Sequence, residues 1–335
     1  MKIRTKPMIT VIVPIFNTSD YLDKCLNSVK EQTYKNFEVL MINDGSTDNS
    51  KKICEKFSRI DNRFLLINQS NHGLSYSRNR GLDIAHGKFI FFIDSDDYID
   101  NNLLQTVIPK MLLNNIDLFA FGYYEQFGMK KVRSKYKNPN LMEISSEIAL
   151  YHLFRGSFGS YAWHFVATKK LYMDNNIHFP INKLYEDIAT TYKLLGNAHN
   201  IYISSDELYY YRQHAQSITH TQSSYNLNDM LDVFPEMDYF IYKNYPNLRN
   251  ELYRFQFNTI CMILIGMEGW NRNLYNLFRP HEKKQISYFK KTVKILISIC
   301  KESKQLDEPF TKQKIKLMLI RLHIFPFIIF FKSKI

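Results

Sequence analysis

A chain of 335 residues that is 45% hydrophobic and 15% aromatic carries enough apolar surface for a full core, which excludes global disorder and leaves room for one large domain plus an appendage. Its net charge of +12 is concentrated at one end, residues 270–335 holding 15 Lys+Arg against 4 Asp+Glu, so nucleic acid is not expected as a partner. The four cysteines, Cys25, Cys54, Cys261 and Cys300, form no CxxC pair and no metal-ligand spacing, which suits buried thiols in a reducing cytoplasm.

Residues 8–16 are interrupted by Pro14 and lack a small-residue cleavage site, so they read as a first strand (9–15) rather than a signal peptide. A turn at 17–20 leads into a helical pattern over 21–32. The apolar run 37–42 is a second strand ending at Asn43-Asp44-Gly45-Ser46, followed by a helix over 50–57, a strand over 64–68 and a helix over 74–85. The fourth strand, 89–93, has five bulky residues in a row, the signature of a strand covered on both faces, and ends in Asp94-Ser95-Asp96-Asp97. Strands alternating with helices at this spacing predict βαβ units and a largely parallel sheet. Beyond the acidic turn the pattern gives a helix over 101–114, a strand over 116–124 and a basic exposed loop over 130–137. Helices over 146–155 and 187–195 and a late strand over 208–211 follow. Long helical stretches begin near residue 225, which places a domain boundary at 222, with 1–222 as the catalytic unit and 223–335 as a mainly helical C-terminal domain.

Ligands of open α/β sheets bind outside the carboxyl ends of the strands, where Asp44 and the Asp94/Asp96/Asp97 cluster fall. Asp44-Gly45-Ser46 taken alone is ordinary turn and capping chemistry. Clustered carboxylates repel one another unless a cation or polyhydroxyl ligand is shared, and a divalent metal carrying a diphosphate is the simplest such ligand.

Four ordered segments then resemble the family-2 glycosyltransferases: residues 11–17 (VIVPIFN), 43–48 (NDGSTD), 73–81 (GLSYSRNRG) and 92–97 (FIDSDD). The resemblance covers roughly residues 8–220. It implies an α/β GT-A (Rossmann-like) fold, a mostly parallel sheet flanked by helices, and inverting transfer from a UDP-sugar, with UDP-galactose or UDP-glucose slightly favoured. The acceptor would be a hydroxyl of a glycan, a lipid-linked oligosaccharide or a glycoprotein. It further implies that Pro14 and Phe16 flank the base, Asp44 reads uracil, Arg78 lies beside the nucleotide, Asp94 and Ser95 meet the ribose side, and Asp96 holds Mn2+ or Mg2+.

Asp97 is open between the metal's surroundings and a helix cap. Glu186-Asp187, heading a helical stretch, either complements a helix dipole or supplies the base. The resemblance favours Asp187 as base, with Glu186 supporting it or contacting the acceptor. Arg212 offers a phosphate fork and His214 a metal or phosphate contact. Trp163 and His164 sit where relatives line an acceptor pocket, with burial as core the competing reading. A nucleotidyltransferase would need a Gly-rich phosphate loop after the first strand, which Asn17-Thr18-Ser19-Asp20 is not. A catalytically inactive carbohydrate-binding relative is the remaining alternative.

Residues 312–331 alternate Lys312, Lys314, Lys316 and Arg321 with aliphatic residues, then run into an apolar stretch broken by Pro326. This tail is either a peripheral attachment to an anionic membrane face or packing within the C-terminal domain or a homo-oligomer. No run is long and apolar enough for a transmembrane helix.

Overall fold

The computed structural model describes residues 6–134, 141–157, 159–214, 227–256 and 258–259. The chain divides into two compact units, Met1–Ser217 and Ile218–Ile335. The basic tail at 312–331 lies outside the described residues.

The first half of unit one is a run of βαβ units: β1 (Ile9–Ile15), α1 (Ser19–Lys30), β2 (Phe37–Asp44), α2 (Ser50–Ile60), β3 (Phe64–Gln69), α3 (Leu74–Ile84) and β4 (Phe89–Phe92). Every residue of β1, β2 and β4 is buried, which is why these strands read as unbroken apolar runs. They pair in parallel in the order β3-β2-β1-β4, with Ile9 opposite both Phe37 and Phe89. Helix α1 buries Leu22, Cys25, Leu26 and Val29, an i, i+3, i+4, i+7 stripe. Pro14 is tolerated inside a central strand because β1 has outrun β4 by this point, the register with β4 ending at Ile12 opposite Phe92.

The second half contains β5 (Tyr98–Ile99), α4 (Leu103–Leu113), β6 (Leu118–Phe127), β7 (Lys130–Arg133), β8 (Leu141–Ile144), α5 (Ser146–Phe154), β9 (Phe165–Thr168), α6 (Lys169–Asp174), α7 (Glu186–Asn197) and β10 (Ile201–Gln213). The described strands join one sheet of order β3-β2-β1-β4-β9-β6-β10-β5, with β7 on β6 and β8 on β10. β9 is antiparallel to both β4 and β6, so β6 and its parallel partner β10 point the same way as β4. The carboxyl ends of β1, β2, β4, β6 and β10 therefore share one rim.

Two expectations are corrected here. The basic segment 130–137 is not simply a loop, because Lys130–Arg133 forms an antiparallel hairpin with β6, all four residues exposed. The late strand runs over 13 residues rather than four, and its polar stretch Ser204–Glu207 coincides with a register irregularity against β6.

Gly87 marks a close approach at the opposite rim. A Cβ there would lie 2.4 Å from Thr10 N and 2.7 Å from Ile9 C, both backbone atoms of the central strand. Gly87→Ala is expected to cost about 1–3 kcal/mol through this overlap, read as a lower urea midpoint.

In unit two the described residues form α8 (Leu227–Asn244), which buries Met230, Leu231, Phe234, Met237 and Ile241 at helical spacing, and a short 3-10 turn at Pro246–Leu248. No helix among the described residues is long and apolar enough to cross a membrane.

Candidate active site

The rim begins at the end of β2. Asp44 is 3% exposed, its Oδ1 accepting from Gln69 Nε2 at 2.7 Å and His72 N at 2.9 Å, its Oδ2 from Gly73 N at 2.8 Å. A carboxylate offers about four lone pairs, so Asp44 both pins the loop that starts α3 and keeps one acceptor position. Gly45, at φ +74° and with a Cβ position 2.8 Å from Asn71 N, lets that loop lie against β2. Asn17, in the left-handed region at φ 51°, ties the first loop to the second by accepting from Thr47 N at 2.8 Å. Beside this junction a cavity of about 380 Å³ opens, lined by the turn Asn17–Tyr21 with Thr47 and Asp48.

Arg78, on α3 and 3% exposed, joins two acids that are far apart in sequence. Its Nη2 donates to Asp94 Oδ1 at 2.9 Å and its Nη1 to Glu186 Oε1 at 2.7 Å. Burial alone would lower the guanidinium's pKa, but Asp94 and Glu186 reverse this and hold it charged. Burial pushes the Asp94 carboxyl up, opposed by Arg78. The arginine thus fastens the end of β4 to the start of α7.

Asp187 is the next residue on α7, its Oδ1 accepting from the Ile188 N–H at 2.7 Å. Burial first, then the neighbouring Glu186 charge, push it up to about 7 against the pull of Ile188 and Arg78. A carboxyl raised toward neutrality has the profile that general-base chemistry asks for. The residue before the pair, Tyr185, holds φ 62°, a left-handed conformation that costs a bulky side chain roughly 1 kcal/mol or more and marks a backbone position fixed by its surroundings.

Asp96 and His214 meet across 118 residues, His214 Nε2 lying 3.0 Å from Asp96 Oδ2. The imidazole stacks on Tyr21, with ring centroids 4.3 Å apart, and its Nδ1 is buried with no hydrogen-bond partner. A carboxylate with an imidazole is a donor set that suits Mn2+ better than Mg2+, whose ligands are oxygens, with phosphate and water oxygens completing the shell. Among the described residues no group of three or more His, Cys, Asp or Glu forms an all-protein metal cage.

The structure answers the question left by Asp97. It is fully buried and caps no helix. Its Oδ2 accepts from the Tyr209 hydroxyl at 2.7 Å and its Oδ1 from Arg212 N at 2.8 Å, clamping β10 to the acidic loop. Burial and the neighbouring Asp96 and Asp94 raise its pKa well above the carboxylate range, opposed by the Tyr209 and Arg212 hydrogen bonds. Tyr209→Phe removes one of the two side-chain acceptor bonds and is expected to lower stability by about 1–3 kcal/mol, measurable by chemical denaturation. Arg212 turns its Nη2 to the carbonyls of Tyr21 and Asp97, both at 3.2 Å, while its Nε is buried without a partner.

Several expected ligand contacts are corrected by burial. Trp163 is 2% exposed, its indole stacked between Tyr209 at 4.2 Å and Tyr161 at 4.7 Å, and His164 is 0% exposed with Nδ1 against Gly159 O. Burial lowers the His164 pKa to about 4, so it is a neutral core imidazole, and neither ring has a face to offer an acceptor. Ser95 is buried with its hydroxyl accepting from Thr18 Oγ1 at 3.0 Å, a tie between loops that leaves the Ser95 proton to donate. Pro14 is buried within β1, leaving Phe16, 48% exposed, as the side chain at the rim. Sequence reasoning missed Tyr209 and Tyr21, whose roles rest on pairings more than a hundred residues apart, and no local signal marks them.

Comparison with known proteins bears on the family and the fold. Residues 10–177 match the family described as Glycosyl transferase family 2. Glycosyltransferase GlyG of Streptococcus pneumoniae is 30% identical over 68% of this chain and 78% of its own length. Glycosyltransferase GlyA of the same organism is 33% identical over 68% of this chain, but the chain spans only 34% of GlyA. Among solved structures, S. aureus TarS residues 1–349 superpose with a TM-score of 0.63 at 22% identity, covering 87% of this chain and 80% of that one; a UDP-GlcNAc complex of the same protein gives 0.60 at 20% identity, covering 87% and 81%.

Proposed function

Because this chain belongs to glycosyl transferase family 2, we propose that it is an inverting enzyme that moves a hexose or N-acetylhexosamine from a UDP-sugar to a hydroxyl of a glycan, lipid-linked or glycoprotein acceptor. The observation that carries this reading is the Arg78 bridge, which holds the acid expected at the donor's ribose, Asp94, against the helix start bearing Asp187. Asp187 takes the proton of the acceptor hydroxyl while its oxygen attacks the anomeric carbon from the face opposite the diphosphate. The new C–O bond forms as the bond to the diphosphate breaks, and UDP leaves with the electron pair. Glu186, fixed by Arg78, raises the basicity of Asp187 through its charge. Asp44 keeps an acceptor position for the uracil N–H, and Phe16 faces the base. Asp96 and His214 are the residues that would hold Mn2+ or Mg2+, which offsets charge building on the departing diphosphate.

Measuring UDP release from UDP-galactose, UDP-glucose and UDP-N-acetylglucosamine, with Mn2+ and with EDTA, tests this directly. One donor should be consumed in the presence of metal and EDTA should suppress release. A folded protein that releases UDP from none of them under either condition would overturn the proposal. Peripheral attachment to an anionic membrane through residues 312–335 belongs to the same reading, supported by the alternation of basic and aliphatic residues there. Deleting that segment should abolish flotation with anionic liposomes, and unchanged flotation would remove it.

A further inference from the structure

On the same rim, past Asp96 and His214, the far end of the sheet carries a second constellation. Tyr98, Tyr210 and Tyr124 sit directly opposite one another on β5, β10 and β6. Their rings stack in a row, Tyr98 on Tyr210 at 4.5 Å and 7°, Tyr210 on Tyr124 at 5.6 Å and 15°. Three cations gather on this row: Lys24 Nζ is 3.7 Å from the Tyr98 ring centre, Lys131 Nζ 4.2 Å from that of Tyr210, and the Arg212 guanidinium 5.3 Å from that of Tyr98.

The cations come from α1, β7 and β10, elements that only the fold brings together. Among the described residues neither Lys24 nor Lys131 has a carboxylate partner, and the Arg212 Nε is buried with its proton unaccepted. Lys24 is an exposed residue, yet partial burial of its ammonium and then the Arg212 and Lys131 charges hold its pKa below the ordinary lysine range. Cation–π contact eases this crowding but supplies no countercharge, whereas one anion placed among the three would relieve it. Asp44, expected at the base, sits at the other end of the sheet, and Lys24 and Lys131 lie against Tyr98 and Tyr210 rather than against Asp96 or His214, where the donor's diphosphate is expected, so an anion held by the two lysines is a second one. The register of β10 with β6 ends at Gln213 opposite Phe127, one residue before His214, which puts the cluster beside the transfer point.

We propose that Lys24, Lys131 and Arg212, mounted on the Tyr98-Tyr210-Tyr124 row, bind a phosphate-type anion carried by the acceptor chain. The enzyme thereby selects acceptors with a charged group near the hydroxyl that is glycosylated. This rests on the glycosyltransferase reading, and it deepens that reading by naming the acceptor's chemistry.

The test uses the full chain and a Lys24→Gln/Lys131→Gln double variant, with Lys51→Gln/Lys52→Gln on α2 as a control of equal charge change. Calorimetric titration with a synthetic glycerol-phosphate oligomer, in EDTA and at fixed ionic strength, should give a Kd raised about tenfold or more in the first variant and nearly unchanged in the control. UDP binding and UDP release from the donor without acceptor should match wild type in both. Equal weakening in the two variants, no oligomer binding by wild type, or weaker UDP binding in the first variant would each overturn the proposal. So would loss of flotation on phosphatidylglycerol vesicles with oligomer binding intact, since the anion would then be a lipid headgroup. Because the oligomer titration needs no turnover, its failure beside normal UDP release leaves the glycosyltransferase reading standing, and absent UDP release beside normal oligomer binding does the reverse.

Discussion

Replacing Asp187 by asparagine is expected to lower the transfer rate by about 10²- to 10⁴-fold while leaving UDP binding intact, because the variant keeps the shape of the side chain and loses only its ability to take a proton. The wild-type rate should follow the ionised form. With the carboxyl pushed up to about 7, activity is low in acid and climbs as pH rises through that value. The same shift has an opposite consequence for the fold. A group whose pKa is higher folded than unfolded binds more protons in the folded state, so its contribution to stability is greatest below the ordinary aspartate range and is lost as pH rises toward 7. Asp187→Asn should therefore be more stable than wild type at pH 8 and no more stable at pH 4. A variant that retained near-normal transfer would remove Asp187 from the chemistry. Unaltered stability at pH 8 would show that the carboxyl is not strained by its surroundings.

Arg78→Met should be the most damaging change to the fold of the site. It leaves Asp94 and Glu186 without the cation that each contacts, beside an already crowded Asp187. Breaking a buried pair by removing one partner costs about 3–5 kcal/mol, and here two carboxylates lose the same partner. The urea midpoint should fall accordingly. If the variant folds, its pH-rate profile should shift to higher pH, since Arg78 is one of the influences that favour the ionised form of Asp187. Arg78→Lys keeps the charge but not the fork, and a point charge cannot serve both Asp94 and Glu186 with the same geometry. It should recover part of the stability and less of the rate. A midpoint unchanged in the methionine variant would mean that the two acids hold together without the arginine.

The parallel half of the sheet was legible because its strands are covered on both faces and so advertise themselves as apolar runs bounded by turns. The same logic exposed Asp44, Asp94, Asp96 and the Glu186-Asp187 pair, which follow from strand and helix ends. β9, with four residues, and β5, with two, are too short to show a period, and β7 carries no apolar face because it has a single partner and lies open to solvent. The polar interruption Ser204–Glu207 hid the first half of β10 behind what is a local irregularity in its pairing. Trp163 and His164 look like a sugar platform in sequence, and only the tyrosines stacked around them show that they are core. Asp97 was undecidable for a related reason. Its partner Tyr209 lies 112 residues away, and nothing within a window around either residue announces the other.

The reversed direction of β9 decides where the chain can change length. Because β9 runs against β4, the chain leaves it at the rim opposite the site, where Lys169 Nζ reaches the carbonyl of Ala85 at 2.7 Å. It must then travel back along α3, held by the paired bonds between Asn79 and the Phe179 backbone at 2.8 Å, to reach Tyr185 and the acids that follow. The stretch between Asp174 and Tyr185 thus works as a measured tether. An insertion or deletion there displaces Glu186 from Arg78 and Asp187 from its place at the rim, whereas one at the turn between α2 and β3 lies at the opposite rim and touches none of these contacts. Relatives that vary the first stretch in length must rebuild the site, and those that vary the second need not.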